Sequence, residues 1–175
     1  MFREIAPGPA VKAVEIVEFS PQYQQGVEDL VLPIQTIEFN VPITREEQPD
    51  LVYIKDTFQK GLGNFWVALC DGAVVGSVGI VDFGGRQVAL KKMFVHRDFR
   101  GRDRGVAADL LACVIEWCNE KGIESIYLGT VTKLKAAQRF YEKNGFVEVA
   151  KSELPENFPL VAVDDKFYKR DLGRR

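Results

Sequence analysis

The sequence has few of the residues that build metal sites or disulfide frameworks. It has one histidine, His96, and three cysteines, Cys70, Cys113 and Cys118, in 175 residues. No two cysteines form a C-x-x-C pair, so the ligand supply argues against a structural zinc site and no metal is expected. An odd cysteine count gives no disulfide framework and suits a reducing compartment. Each cysteine stands among apolar residues and reads as a buried thiol. No apolar run approaches the ~20 residues of a membrane span. Met1 to Pro9 lacks the apolar centre of a signal peptide, so the expected location is cytoplasmic. Charge of one sign is also missing. With 23 basic against 25 acidic residues, the net charge of −2 gives no global field that would draw nucleic acid or an anionic membrane.

The remaining composition is that of a globular protein, 46% hydrophobic and 27% charged. Such a chain is expected to fold as one domain over residues 1–175 and to bury about 70% of its unfolded surface without a staple. Residues 1–10, with two prolines and a glycine, read as a loose lead-in. A strand is expected over Val11–Phe19. A helix should start at Ser20-Pro21, with serine as its cap, and be kinked or ended by Pro33. Ile34–Thr44 reads as irregular. A second helix is expected from about Glu46 to Lys60, stopped by Gly61 and Gly63.

Asn64–Cys70 and Val74–Asp82 read as strands joined by Asp71-Gly72, a strong hairpin signal. Gly84-Gly85 turns the chain into a third strand, Gln87–Val95, giving an antiparallel meander. Ala107, Leu110, Leu111, Val114, Trp117 and Cys118 then recur at helical spacing. Strand Ser125–Thr130, helix Leu134–Asn144, strand Phe146–Ala150 and strand Lys166–Leu172 complete a mixed α/β, or α+β, pattern.

Between the third strand and the amphipathic helix stands Arg100-Gly101-Arg102-Asp103-Arg104-Gly105-Val106-Ala107. A glycine-containing basic turn entering a helix suits an anion. First-turn N–H groups lack partners, the helix dipole is positive there, and glycine lets the backbone approach closely. Asp103 opposes an anion and is expected to point outward or to pair with an arginine. No Gly-Lys-Ser/Thr follows, which disfavours a nucleotide triphosphatase.

Two motifs together resemble the GCN5-related N-acetyltransferase (GNAT) superfamily. Its phosphate loop, Gln/Arg-x-x-Gly-x-Gly/Ala, is matched by Arg102-x-x-Gly105-x-Ala107. Its helix with a tyrosine before a Gly-Phe pair is matched by Tyr141, Gly145 and Phe146. The resemblance is clearest from Val74 to Val149. It implies a mixed, mostly antiparallel sheet of about six to seven strands flanked by about four helices. Two central strands of that sheet would splay apart where coenzyme A enters.

By the same resemblance the chain is an acyltransferase that moves an acetyl group from acetyl-CoA, bound as co-substrate, to a primary amine by direct attack. Arg100 to Ala107 would hold the pyrophosphate. Met93, Phe94 and Val95 would pair with the pantetheine amides like an added strand. Tyr141 would protonate the leaving thiolate, as a phenol of pKa about 10 can. A purely structural Tyr141 on an apolar helix stripe is the competing reading. Many members of the family place asparagine where Leu134 stands, which removes one cofactor contact. Lys133 or Lys135 are candidates to replace it.

The general base is not legible. Glu38 and His96 are candidates, and Lys91-Lys92 reads as a solvated or cofactor-flanking pair. Specificity would reside in residues 20–63 and in the loop Lys151–Asp165. The acceptor is expected to be a small-molecule amine, with no nucleic-acid or membrane partner, and a homodimer is left open. A non-catalytic acyl-CoA sensor with the same fold is the alternative.

Overall fold

A computed structural model describes residues 13–101 and 103–173. Arg102, the residues before 13 and the last two therefore lie outside the description, and with them the loose lead-in expected over 1–10. The chain forms one seven-stranded sheet in the order β1-β2-β3-β4-β5-β7-β6. The strands are β1 (Glu15–Glu18), β2 (Asn64–Cys70), β3 (Ala73–Gly84), β4 (Gln87–Val95), β5 (Ser125–Thr130), β6 (Val147–Val149) and β7 (Lys166–Asp171). Every neighbouring pair is antiparallel except β4 and β5. The expected mixed, mostly antiparallel sheet is present.

β2 shows how sequence sets the layers. It is buried along its whole length, as its continuous apolar run requires. Phe65, Val67 and Leu69 face one core with Val27, Val31, Leu51, Ile54 and Phe58. Trp66, Ala68 and Cys70 face the other with Leu110, Leu111, Val114 and Cys118. Alternate residues thus serve opposite faces. The first core is covered by α1 (Gln24–Pro33), α2 (Pro49–Val52) and α3 (Ile54–Phe58). The second is covered by α4 (Val106–Lys121) and the aromatic face of α5 (Lys135–Lys143).

Three local expectations change. Ser20 makes no side-chain cap, and Pro21–Tyr23 form a 3-10 turn ahead of α1. Pro33 ends α1, but the chain continues as a wide π turn over Ile34–Glu38 rather than as irregular backbone. Proline has no N–H to continue the regular ladder, and such widened turns gather at functional sites. The single helix expected over 46–60 is two short ones. It starts only at Pro49 and breaks at Tyr53, whose φ and ψ of −117° and 59° leave the helical region. The Asp71-Gly72 hairpin forms as read, with φ of 50° and 80°.

Two departures from regular pairing place the site. β4 and β5 pair only at Gln87–Ser125, Val88–Ile126 and Ala89–Tyr127, and then diverge. Opposite, Ser77 pairs with Phe94 and Gly79 with Lys91, so Lys92 and Met93 together oppose Val78. This is a bulge with one extra residue on β4. Lys92 takes a φ of 54° there, and Ser77 Oγ donates to its carbonyl at 2.7 Å.

Candidate active site

The gap between β4 and β5 opens into two connected spaces. The larger is a groove of about 520 Å³ that runs from the turn at Arg100 and Gly101 to α5. Met93, Phe94 and Val95 form one wall, with Gly105, Ala107 and Ala108 at the end of it formed by α4. Gly105 is the N-cap of α4 with φ 65°, and as glycine it brings no side chain to cap the helix. The first-turn N–H groups therefore remain open to an anion. A Cβ built on Gly101 or Gly105 meets nothing within 4 Å, so the cradle is open where the phosphate-loop reading needs it.

The charged residues of that turn divide. Arg104 stacks on Phe99, with its guanidinium carbon 4.6 Å from the ring centroid. Asp103 is exposed, and Val106 turns into the core at 2% exposure. Arg100 lines the groove, but its guanidinium grips Glu38 with two nitrogens, one at 2.8 Å, and donates to the Val95 carbonyl at 2.8 Å. That ion pair holds the Glu38 carboxyl below its ordinary range, chiefly through the Arg100 hydrogen bond. A carboxylate so engaged is a poor proton acceptor. His96 is half-exposed and accepts from the Asp98 N–H at 3.2 Å. It lines neither space. Lys133, offered as a replacement contact, donates to the Asn40 carbonyl at 3.1 Å.

The smaller space is a cavity of about 130 Å³. Its walls come from the segments expected to carry specificity: Gln35, Phe39, Val41, Ile43 and Asp50 on one side, Phe158, Pro159, Val161, Val163 and Asp164 on the other. The two spaces share Phe39, Met93, Phe94, Leu134, Ala137 and Tyr141. Tyr141 is thus both a core residue and a wall of the junction. Its ring packs on Phe140, Phe146 and Tyr168 at centroid distances of 5.9, 5.6 and 6.1 Å. Burial, with the nearby Asp164 adding to it, pushes its phenol above the ordinary value, so it is protonated at neutral pH.

The cavity also collects polar groups that the sequence did not announce. Lys92 is not solvated. Its side chain is 11% exposed, and its ammonium donates to Gln48 Oε1 at 2.6 Å and lies 3.4 Å from Asp50 Oδ2. Lys91 reaches the same oxygen at 3.5 Å. Gln35 and Gln48 exchange amide hydrogen bonds at 3.0 and 2.9 Å behind them. Burial lowers the Lys92 pKa, and Asp50 opposes the shift. Asp164 sits against β5 at the divergence, so close that a Cβ on Gly129 would come within 2.6 Å of its Oδ2. Burial pushes its carboxyl up to about 6, against the pull of Lys91 and Lys92. Cys70 and Cys118 are buried as read, whereas Cys113 is only partly so. Burial pushes the Cys118 thiol up to about 12 and also raises Cys113, which keeps both protonated.

Comparison with known proteins agrees with this geometry. A model described as the acetyltransferase (GNAT) family matches residues 29–146. N-acetylaspartate synthetase of Danio rerio is 36% identical over 109 residues, 59% of this chain and 37% of that protein. The chain spans less than half the length of such curated relatives. Among solved structures, an acetyltransferase of the GNAT family from Staphylococcus aureus Mu50 is 39% identical. Its TM-score is 0.89, with 92% of this chain and 100% of that one covered. PaiA N-acetyltransferase from Thermoplasma acidophilum, solved with coenzyme A, has the same fold at 13% identity. Its TM-score is 0.71 over 91% of this chain and 99% of that one.

Proposed function

The chain belongs to the acetyltransferase (GNAT) family, and from that premise we propose that it transfers an acetyl group from acetyl-CoA to the primary amine of a small molecule. The meeting of the groove and the cavity at Met93, Phe94 and Tyr141 carries this reading. A thioester entering along the groove and an amine entering through the cavity come together there. Direct attack then needs no enzyme-bound acetyl group, and the raised cysteine thiols fit that route.

The pyrophosphate is held by the open N-terminus of α4 and the Gly101–Gly105 turn. The pantetheine arm lies along β4 from Met93 to Val95, the stretch that β5 leaves unpaired. The bulge at Lys92 interrupts the β3 ladder, and a main-chain N–H that leaves the ladder there would suit the oxyanion of the tetrahedral adduct. Tyr141 gives its proton to the departing sulfur. The cavity's small volume, about 130 Å³, supports a small acceptor over a polypeptide. The relative named for N-acetylaspartate synthesis supports the same class.

Calorimetry with coenzyme A, followed by an amine panel with a free-thiol readout, tests the proposal. Binding together with thiol release dependent on an amine is expected. Binding without release to any amine would favour the sensor reading, and no binding at millimolar coenzyme A would remove both.

A further inference from the structure

Resting on the acetyl-transfer reading, we infer that Asp164 is the proton acceptor for the incoming amine and that Lys91 and Lys92 hold an anionic group on the same molecule, so that the acceptor is a small amino-carboxylate with an apolar body.

Two carboxylates line the cavity, and they are not equivalent. Asp50 is shared by the ammonium groups of Lys91 and Lys92. Asp164 receives no hydrogen bond among the described residues; burial and the charges of Lys91, Lys92 and Asp165 act on it. The groups that face it are Lys91 and Lys92 from β4 and Tyr141 from α5, while Gly129 of β5 lies beneath it. It therefore lines the same cavity as the residue that would protonate the leaving group. A carboxyl near 6 is ionised at neutral pH yet basic enough to take a proton.

Charge identifies the acceptor. Two ammonium groups against Asp50 leave one positive charge in excess, which Asp164 balances when ionised. A plain alkyl ammonium or a polyamine would add positive charge beside two lysines. A zwitterion adds none. Its ammonium meets Asp164 and its carboxylate meets the lysine pair. The remaining wall is mostly apolar, with Val41, Ile43, Phe158 and Val161 beside Gln35 and Thr130, and it offers no further cation to an acidic side chain.

The step balances. Asp164 takes a proton from the ammonium and passes it to solvent. The freed nitrogen bonds to the thioester carbon, and the adduct collapses with cleavage of the carbon–sulfur bond. Tyr141 protonates the sulfur, and the second nitrogen proton restores the phenol. An amide, a coenzyme A thiol and one solvent proton result.

The test compares leucine, methionine and phenylalanine with their decarboxylated amines, and with aspartate and spermidine, as acceptors from acetyl-CoA. The wild-type protein should favour the apolar amino acids over the matching amines at least tenfold in kcat/KM. Lys92→Met should erase that preference and weaken calorimetric binding of the amino acid to the coenzyme A complex. Asp164→Asn should lower kcat about 10²-fold or more and abolish an acidic limb near pH 6, while coenzyme A affinity holds. Equal use of amine and amino acid, or Asp164→Asn with unchanged kcat and limb, would overturn the inference and leave acetyl transfer standing. Absence of transfer to every amine would overturn acetyl transfer and this inference with it.

Discussion

At the scale of single residues, Tyr141 and Asp164 show how one environment sets two protonation states. Both are withdrawn from water, which keeps the phenol protonated and raises the carboxyl. Tyr141→Phe keeps the ring contacts with Phe146 and Tyr168. It should lower turnover about 10²-fold, the lower end of general-acid effects because water can partly substitute, with coenzyme A affinity unchanged. Single-turnover kinetics would check this, and equal chemistry in both proteins would assign the tyrosine to the core. Asp164 also makes a stability prediction. Its folded pKa of about 6 lies above the ordinary ~3.9, so the folded state binds more protons between those values. The stability associated with this group is present below about pH 4 and is lost as pH rises through 6. Melting temperatures of Asp164→Asn relative to wild type should therefore rise from pH 4 to pH 7.5. A constant difference would refute the shift. Tyr141 was legible because a short local motif surrounds it. Asp164 and Lys92 were not, because their meaning depends on residues distant in sequence, Gln48 and Asp50 for Lys92 and the two lysines for Asp164.

At the scale of elements, the N-terminus of α4 and the bulge in β4 do most of the positioning. Gly105 holds a left-handed φ of 65° in open space. Gly105→Ala should therefore fold with a modest penalty, about 1–2 kcal/mol for the backbone conformation, or a few degrees in melting temperature. Gly105→Val should in addition raise the Kd for coenzyme A at least tenfold, because its side chain occupies the phosphate's place. Titration calorimetry on both variants separates backbone strain from lost binding. The hairpins and α4 were readable because turn residues and apolar period agree there. The 46–60 segment was not. Its apolar positions Leu51, Ile54 and Phe58 recur at helical spacing and are all fully buried, but the break at Tyr53 leaves that period intact and so no trace in the pattern. The bulge hides for a related reason. Nothing in Lys91-Lys92-Met93 marks an extra residue, and only the β3 register reveals it.

At the scale of the whole molecule, the substrate joins parts that the chain holds apart. Segment 34–44 reaches the phosphate turn through Glu38 and Arg100, and the turn ahead of α5 through Asn40 and Lys133. A ligand in the groove touches all of these, so it should stabilise the fold as a unit. Coenzyme A at one hundred times its Kd should add about 2.7 kcal/mol, near 5–10 °C for a protein of this size. A scanning-calorimetry shift that fails to grow with the logarithm of ligand concentration would contradict this. Charge and composition allowed the small-anion reading from sequence, since the basic residues cluster while the total stays near neutral. The smaller cavity stayed hidden because its walls come from segments distant in sequence, most of whose residues individually look like ordinary apolar filler.

The three-residue contact between β4 and β5 has a consequence for how the protein breathes. Beyond Ala89 and Tyr127 the backbone amides of the two strands that face each other across the gap have no ladder to protect them. In hydrogen–deuterium exchange, such amides in residues 91–95 and 128–131 should label early in the free protein, well ahead of those in β2 and β3. Pantetheine would act as the missing strand, and its arrival should slow labelling selectively along 93–95. The rest of the sheet would keep its native rate, so the gap would record substrate occupancy amide by amide.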